Sequence, residues 1–166
     1  MCGLRQGEVA ELCRKDVDVK AETVTVSRAV TRVPGGQVVG DPKTDAGRRV
    51  LVIPPSPLPL VERQLERWAQ PGPDGLLFPS SAGKQLRPSS IYRWFYPARD
   101  AIGRPRLRFH DLRHTGATLY AGGGTTTADQ LAWLGHTTPT MALRYQHAAD
   151  VTRQREVAAR AFEGWE

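Results

Sequence analysis

Four prolines within six residues, Pro54, Pro55, Pro57 and Pro59, divide this chain into two parts that fold by different rules. Proline fixes φ and carries no backbone N–H, so neither a helix interior nor a central strand runs through such a stretch. It reads as a stiff connector leading into a helix. Ahead of it, residues 22–30 (ETVTVSRAV) set Val24, Val26 and Arg28 on one face and Thr and Ser on the other, the alternation of a strand rich in β-branched residues. Pro34-Gly35-Gly36 is a turn signal, and QVVG at 37–40 a returning strand. A loop from Asp41 to Gly47 leads into a third strand, RRVLVI at 48–53. One helix precedes the strands over 4–14, where Leu4, Val9, Leu12 and Cys13 fall near helical spacing.

Beyond the connector the pattern is helical, over about 58–69, 89–101, 110–121, 126–134, 138–145 and 150–163. Gly72, Pro73 and Gly75 end the first of these, and LLF at 76–78 is a short strand or a buried loop. Ser89-Ser90, Thr125–Thr127 and Thr137–Thr138 offer hydroxyl caps. The expected fold class is therefore α+β: a mainly α-helical domain with a small three-stranded antiparallel sheet near the N-terminus. With 166 residues and no internal repeat, the chain suits one domain.

Composition narrows the function classes. Hydrophobic residues at 40% and charged residues at 24% are globular values and argue against wholesale disorder. No apolar run approaches the ~20 residues that span a bilayer, and the N-terminus lacks the pattern of a signal peptide. Cys2 and Cys13 make no disulfide scaffold and no metal-ligand spacing, so a reducing, cytoplasmic setting is expected. The net charge of +6 comes from 19 Arg and only 4 Lys. Guanidinium forks suit phosphate, which points to nucleic acid, although a coding preference for Arg gives the same count.

The densest chemistry lies in RFHDLRHT at 108–115, where His110 and Arg113 stand three apart and project from one helix face. An imidazole beside a guanidinium is a clamp for phosphate or another oxyanion. WLGHTTPTMALRYQH at 133–147 adds His136 after a helix stop at Gly135, and Tyr145 nine residues later. Singly, each is ordinary: a histidine on a helix is most often a hydrogen-bonded structural residue, and His114 and His147 are read that way. No cluster of Asp and Glu has metal-binding spacing, and no nucleotide-binding loop is present.

Taken in order, Leu4-Arg5-Gln6-Gly7-Glu8, Pro42-Lys43-Thr44, HDLRHT, LGH and RYQH resemble the catalytic domain of the tyrosine recombinase (phage integrase) family. The family's functional positions fall on Arg5, Lys43, His110, Arg113, His136 and Tyr145. The resemblance implies site-specific DNA recombination without cofactor or metal. Tyr145 would attack the scissile phosphate of double-stranded DNA, giving a 3′-phosphotyrosyl link and a free 5′-hydroxyl. Arg5 and Arg113 would contact non-bridging oxygens, a preorganised donor of this kind being worth ~3–4 kcal/mol in the transition state. His110 and His136 would add hydrogen bonds, His110 also as proton acceptor, and Lys43 would protonate the leaving oxygen. Glu8, one turn after Arg5, is an orienting partner for the active-site basics. Arg104, Arg106 and Arg108 alternate before the HxxR helix, either along a phosphate backbone or as a solvated basic strand.

The same resemblance sets the expected organisation. Residues 1–150 correspond to the catalytic domain. The helical DNA-clamping domain that the family places ahead of it is missing, so the chain reads as the C-terminal part of something longer. In 151–166, Ala158, Ala161, Phe162 and Trp165 form a helical stripe. That helix packs on a neighbouring protomer, within a tetramer on DNA, or on its own domain. The competing functional reading is a non-catalytic DNA-binding remnant of a truncated integrase. A nick-and-reseal activity of the topoisomerase kind would use the same residues.

Overall fold

The computed structural model describes residues 2–41 and 47–135. Helix α1 (Gln6–Glu11) is followed by a 3-10 turn (Arg14–Asp16) and strands β1 (Val17–Asp18), β2 (Thr23–Val26), β3 (Ala29–Val33), β4 (Gly36–Gly40) and β5 (Arg49–Val52). Helices α2 (Leu58–Arg67), α3 (Pro88–Ala101), α4 (Asp111–Gly122) and α5 (Thr127–Leu134) complete the described chain. The fold is α+β, with a three-stranded antiparallel sheet in the order β1-β2-β5 and a separate β3–β4 hairpin.

The central strand alternates as period two requires: Val24 and Val26 are buried while Thr25 faces solvent. Leu51 of β5 lies opposite Val24 and is buried on the same face, and Val50 and Val52 point outward. Leu12, Ile53, Leu77, Ala117, Trp133 and Leu134 close the core around these side chains, with Leu58, Val61 and Leu65 of α2 packed against it. α5 therefore ends with two core residues, Trp133 and Leu134.

The strand expected over 22–30 is two strands in two sheets. Alternation sets Arg28 on the inner face with Val24 and Val26, where an unpaired guanidinium would be costly. Its side chain instead reaches the buried carboxylates of Asp16 at 3.0 Å and Glu11 at 3.6 Å. The chain leaves the sheet at Ser27-Arg28 and opens the hairpin, whose turn holds Gly35 at φ +86°. The third strand of the sheet is β1, too short at two residues to show any period. The hairpin lies on α1 at Gly7, where a Cβ would stand 2.3 Å from the Val30 carbonyl oxygen.

Leu76 and Leu77 are buried and run beside the end of α1: Leu77 N–H donates to Leu12 O at 2.7 Å and Leu76 bridges Cys13. α3 begins one residue before the expected serines, with Pro88 in its first position, where the missing N–H costs nothing. Thr126 caps α5. Its hydroxyl accepts from Asp129 N–H at 3.1 Å, while Asp129 Oδ2 accepts from Thr126 N–H at 2.8 Å. Among the described residues no helix is long and apolar enough to cross a membrane. The helices expected over 138–145 and 150–163, and the cap at Thr137–Thr138, lie outside them.

Thr126→Ala removes one side of this reciprocal cap, so urea unfolding should show a loss of about 1 kcal/mol.

Candidate active site

α5 stops at Gly135, which takes the left-handed conformation at φ 63°. The last carbonyls of a helix have no partners within it, and three arginines from distant parts of the chain supply them here. Arg49 Nε donates to Trp133 O at 2.9 Å, Arg113 Nη2 to Leu134 O, and Arg5 Nη2 to Gly135 O at 3.2 Å. Cations at a helix C-terminus also meet the negative end of its dipole. Arg113 is buried and donates its Nη1 to Gly3 O as well. Gly3 has φ +60°, and a Cβ there would sit 2.3 Å from the Trp133 ring, so only glycine presents this carbonyl without displacing the indole.

Glu8 ties two of these arginines together. Its Oε1 accepts from Arg5 Nη1 at 2.9 Å and Arg49 Nη1 at 3.0 Å. Its Oε2 accepts from the Arg5 backbone N–H at 2.7 Å and Arg49 Nη2 at 2.9 Å. The backbone bond follows from placement: Arg5 caps α1 and Glu8 is its third residue, which reaches back to the cap. Burial pushes the Glu8 carboxyl up, but the hydrogen bonds and charge of Arg49, with the bonds from Arg5, outweigh it and hold the group below its ordinary range. One carboxylate thus serves two guanidinium groups and leaves surplus positive charge. The Arg5 side chain is 39% exposed and carries that charge to the surface, while Glu8 is 2% and Arg49 5% exposed.

His110 stands at the foot of α4, one turn before Arg113, with its ring edge-on to His114 at 4.8 Å between centroids. Burial, His114 and Arg113 together press its pKa below the ordinary imidazole value, so it is neutral at pH 7. Arg108 closes the start of α4: its backbone N–H reaches Asp111 Oδ2 at 2.9 Å and its Nη2 reaches Oδ1 at 2.8 Å. That pairing brings the Asp111 carboxyl down to about 2. Arg104 and Arg106 are exposed, on turn and loop backbone with no strand.

The fold therefore brings Arg5, Glu8 and Arg113 to the end of α5, with His110 on the same helix as Arg113. Lys43, His136 and Tyr145 lie outside the described residues. The segment holding Lys43 is flanked by Asp41 and Arg48, which pair at 2.6 Å. Arg49 is the residue that the sequence reading missed. Its signal was register: it lies two residues before buried Leu51, on the inward face of β5, where a charge demands a partner. Among the described residues no group of three or more His, Cys, Asp or Glu is placed to hold a metal.

Glu8→Gln leaves Arg49 buried without its counter-charge, and urea unfolding at pH 7 should lose about 3–5 kcal/mol. The sign with pH follows from the lowered pKa. The carboxylate's contribution is complete above its ordinary value of 4.5 and disappears as pH falls through the lower folded value, so the two proteins should converge in acid.

Residues 1–151 match the phage integrase family. A protein named as prophage phiRv2 integrase in Mycobacterium tuberculosis is 51% identical over 158 residues, covering 94% of this chain and 42% of that protein. The integrase of Mycobacterium phage FRAT1 is 39% identical over 164 residues, covering 96% of this chain and 49% of that one. The chain thus spans less than half the length of these relatives. Among solved structures, the integrase of transposon Tn1549 in complex with circular intermediate DNA superposes with a TM-score of 0.74 at 25% identity, covering 96% of this chain and 56% of that one. The XerA recombinase superposes with a TM-score of 0.69 at 23% identity, covering 96% and 52%. The ordered motifs, the arginine cluster at the end of α5 and these likenesses agree: the chain belongs to the phage integrase family, the tyrosine recombinases.

Proposed function

We propose that this chain is the catalytic domain of a site-specific DNA recombinase that cleaves and rejoins strands without a metal. The observation that carries the reading is the shared carboxylate of Glu8, which leaves the half-exposed guanidinium of Arg5 with uncompensated charge beside Arg113 and His110. Such a place favours an anion, and a scissile phosphodiester gains charge on its non-bridging oxygens as it is attacked. Tyr145 supplies the nucleophilic oxygen: its bond to phosphorus forms as the bond to the 5′-oxygen breaks. His110, neutral at pH 7, accepts the phenolic proton, and His136 adds a hydrogen bond to the phosphoryl group. Lys43 gives a proton to the departing 5′-oxygen. The phosphotyrosyl ester keeps the energy of the phosphodiester, so a second 5′-hydroxyl reverses the step without ATP.

In this reading residues 1–150 form the catalytic domain, the stripe on 151–166 serves either a neighbouring protomer or its own domain, and the full-length protein assembles as a tetramer on DNA. Arg104, Arg106 and Arg108 contribute contacts to the phosphate backbone, which raise affinity without reading sequence. The Tn1549 integrase in complex with circular intermediate DNA supports DNA as the partner, which this reading takes to be double-stranded.

Covalent trapping tests the proposal. A pool of nicked suicide duplexes at low salt should yield a protein–DNA adduct that survives denaturation and is absent from Tyr145→Phe. If neither this chain nor its fusion to a related DNA-clamping domain gives an adduct, the non-catalytic DNA-binding reading replaces the enzyme. Arg113→Ala should slow adduct formation about 100- to 1,000-fold, as loss of a preorganised transition-state donor does. Because the His110 pKa is lowered, the adduct rate should fall only below the ordinary imidazole value of 6.5, and His110→Gln should erase that acid limb.

A further inference from the structure

Among the described residues, Arg49 is more completely bonded than Arg5, which is assigned to the phosphate. Of its five N–H groups four are used: Nε on Trp133 O, Nη1 on both Glu8 Oε1 and Gly47 O, and Nη2 on Glu8 Oε2. One N–H remains, on a side chain that is only 5% exposed. Arg5 differs on both counts. Within the described residues it uses two side-chain N–H groups, one on Glu8 and one on Gly135 O, and it is 39% exposed.

The two are in series. Arg49 holds both oxygens of Glu8, which sets the plane of the carboxylate, and the Oε1 edge of that plane holds Arg5 Nη1. The same guanidinium also links Gly47, just after the segment that carries Lys43, to Trp133, three residues before His136. We infer that Arg49 is a positioning residue of the recombination site, which aims the Arg5 guanidinium at the scissile phosphate by fixing the plane of Glu8. This rests on the transesterase reading above. Lysine cannot substitute, because one ammonium keeps the charge and loses the planar fork.

The test uses the duplex recovered from the trapping pool, made once with its natural scissile phosphate and once with a methylphosphonate there. The methyl group replaces a charged non-bridging oxygen, so the neutral linkage gains little from a well-aimed cation. Arg49→Lys should slow adduct formation on the phosphodiester about 100-fold, the scale of a small misplacement of a catalytic group. Its defect on the methylphosphonate should be far smaller, and duplex affinity should stay near that of the unsubstituted chain. Glu8→Asp keeps the charges but moves the carboxylate back by one methylene. It should show the same selective relief, and it decides the matter if Arg49→Lys does not fold. Equal slowing on both linkages marks a merely structural role and overturns the inference while the transesterase reading stands. An unchanged rate on the phosphodiester does the same. If neither the unsubstituted chain nor its fusion to a related DNA-clamping domain forms an adduct, both fall together.

Discussion

Three consecutive carbonyls at the end of α5, those of Trp133, Leu134 and Gly135, accept from three arginines that enter on β5, α4 and the cap of α1. A helix terminus left bare inside a protein would carry unsatisfied acceptors. Satisfying each with a guanidinium ties residues 5, 49 and 113 of the sequence to one spot. The arrangement has an electrostatic cost, since like charges are drawn together where water is scarce. Glu8 relieves that repulsion for Arg5 and Arg49 and does not cancel it. The remaining positive charge is what the proposed function assigns to the phosphate. In that proposal, the interaction that holds the elements together also prepares the place for the phosphate.

The core makes this possible by holding α5 still. Leu134 is fully buried and Trp133 stacks on Tyr120 at 5.0 Å, so the carbonyls beside them have little freedom. The sheet supplies the other side: Leu51 faces Val24 in the core, and Arg49 lies two residues earlier on the same face. Side chains on a strand and helices packed in this way are placed more tightly than a loop could place them. Gly3 serves the same end, bringing its carbonyl to Arg113 where any Cβ would strike the Trp133 ring.

Much of this was legible before any coordinates. Alternating Val24 and Val26, the proline connector, the Thr126 cap and the Gly135 stop all act over a few residues, and local sequence carries them. Arg5, His110 and Arg113 stood out because their motifs are short and ordered, and the fold brings both arginines to the end of α5. Three details were not. Arg28 belongs to the inner face by alternation, yet Glu11 and Asp16 draw it away and split the strand. Arg108 reads as a phosphate contact or a solvated basic residue, and the sequence did not show that its exposed side chain also pairs with Asp111 at the start of α4. Arg49 carried no motif at all. In each case the deciding partner is chosen by folding.

By itself, then, the sequence determined the fold class, the succession of strands before helices and the residue types available for chemistry, because periodicity, capping and turn chemistry are local. The tertiary structure decided which charges are buried, which carboxylate serves which guanidinium, and which arginine keeps donors free of the scaffold. Those outcomes depend on desolvation and through-space geometry. Arg5 and Arg49 are the same residue type, and only their different burial around one carboxylate separates an exposed cation from a buried strut.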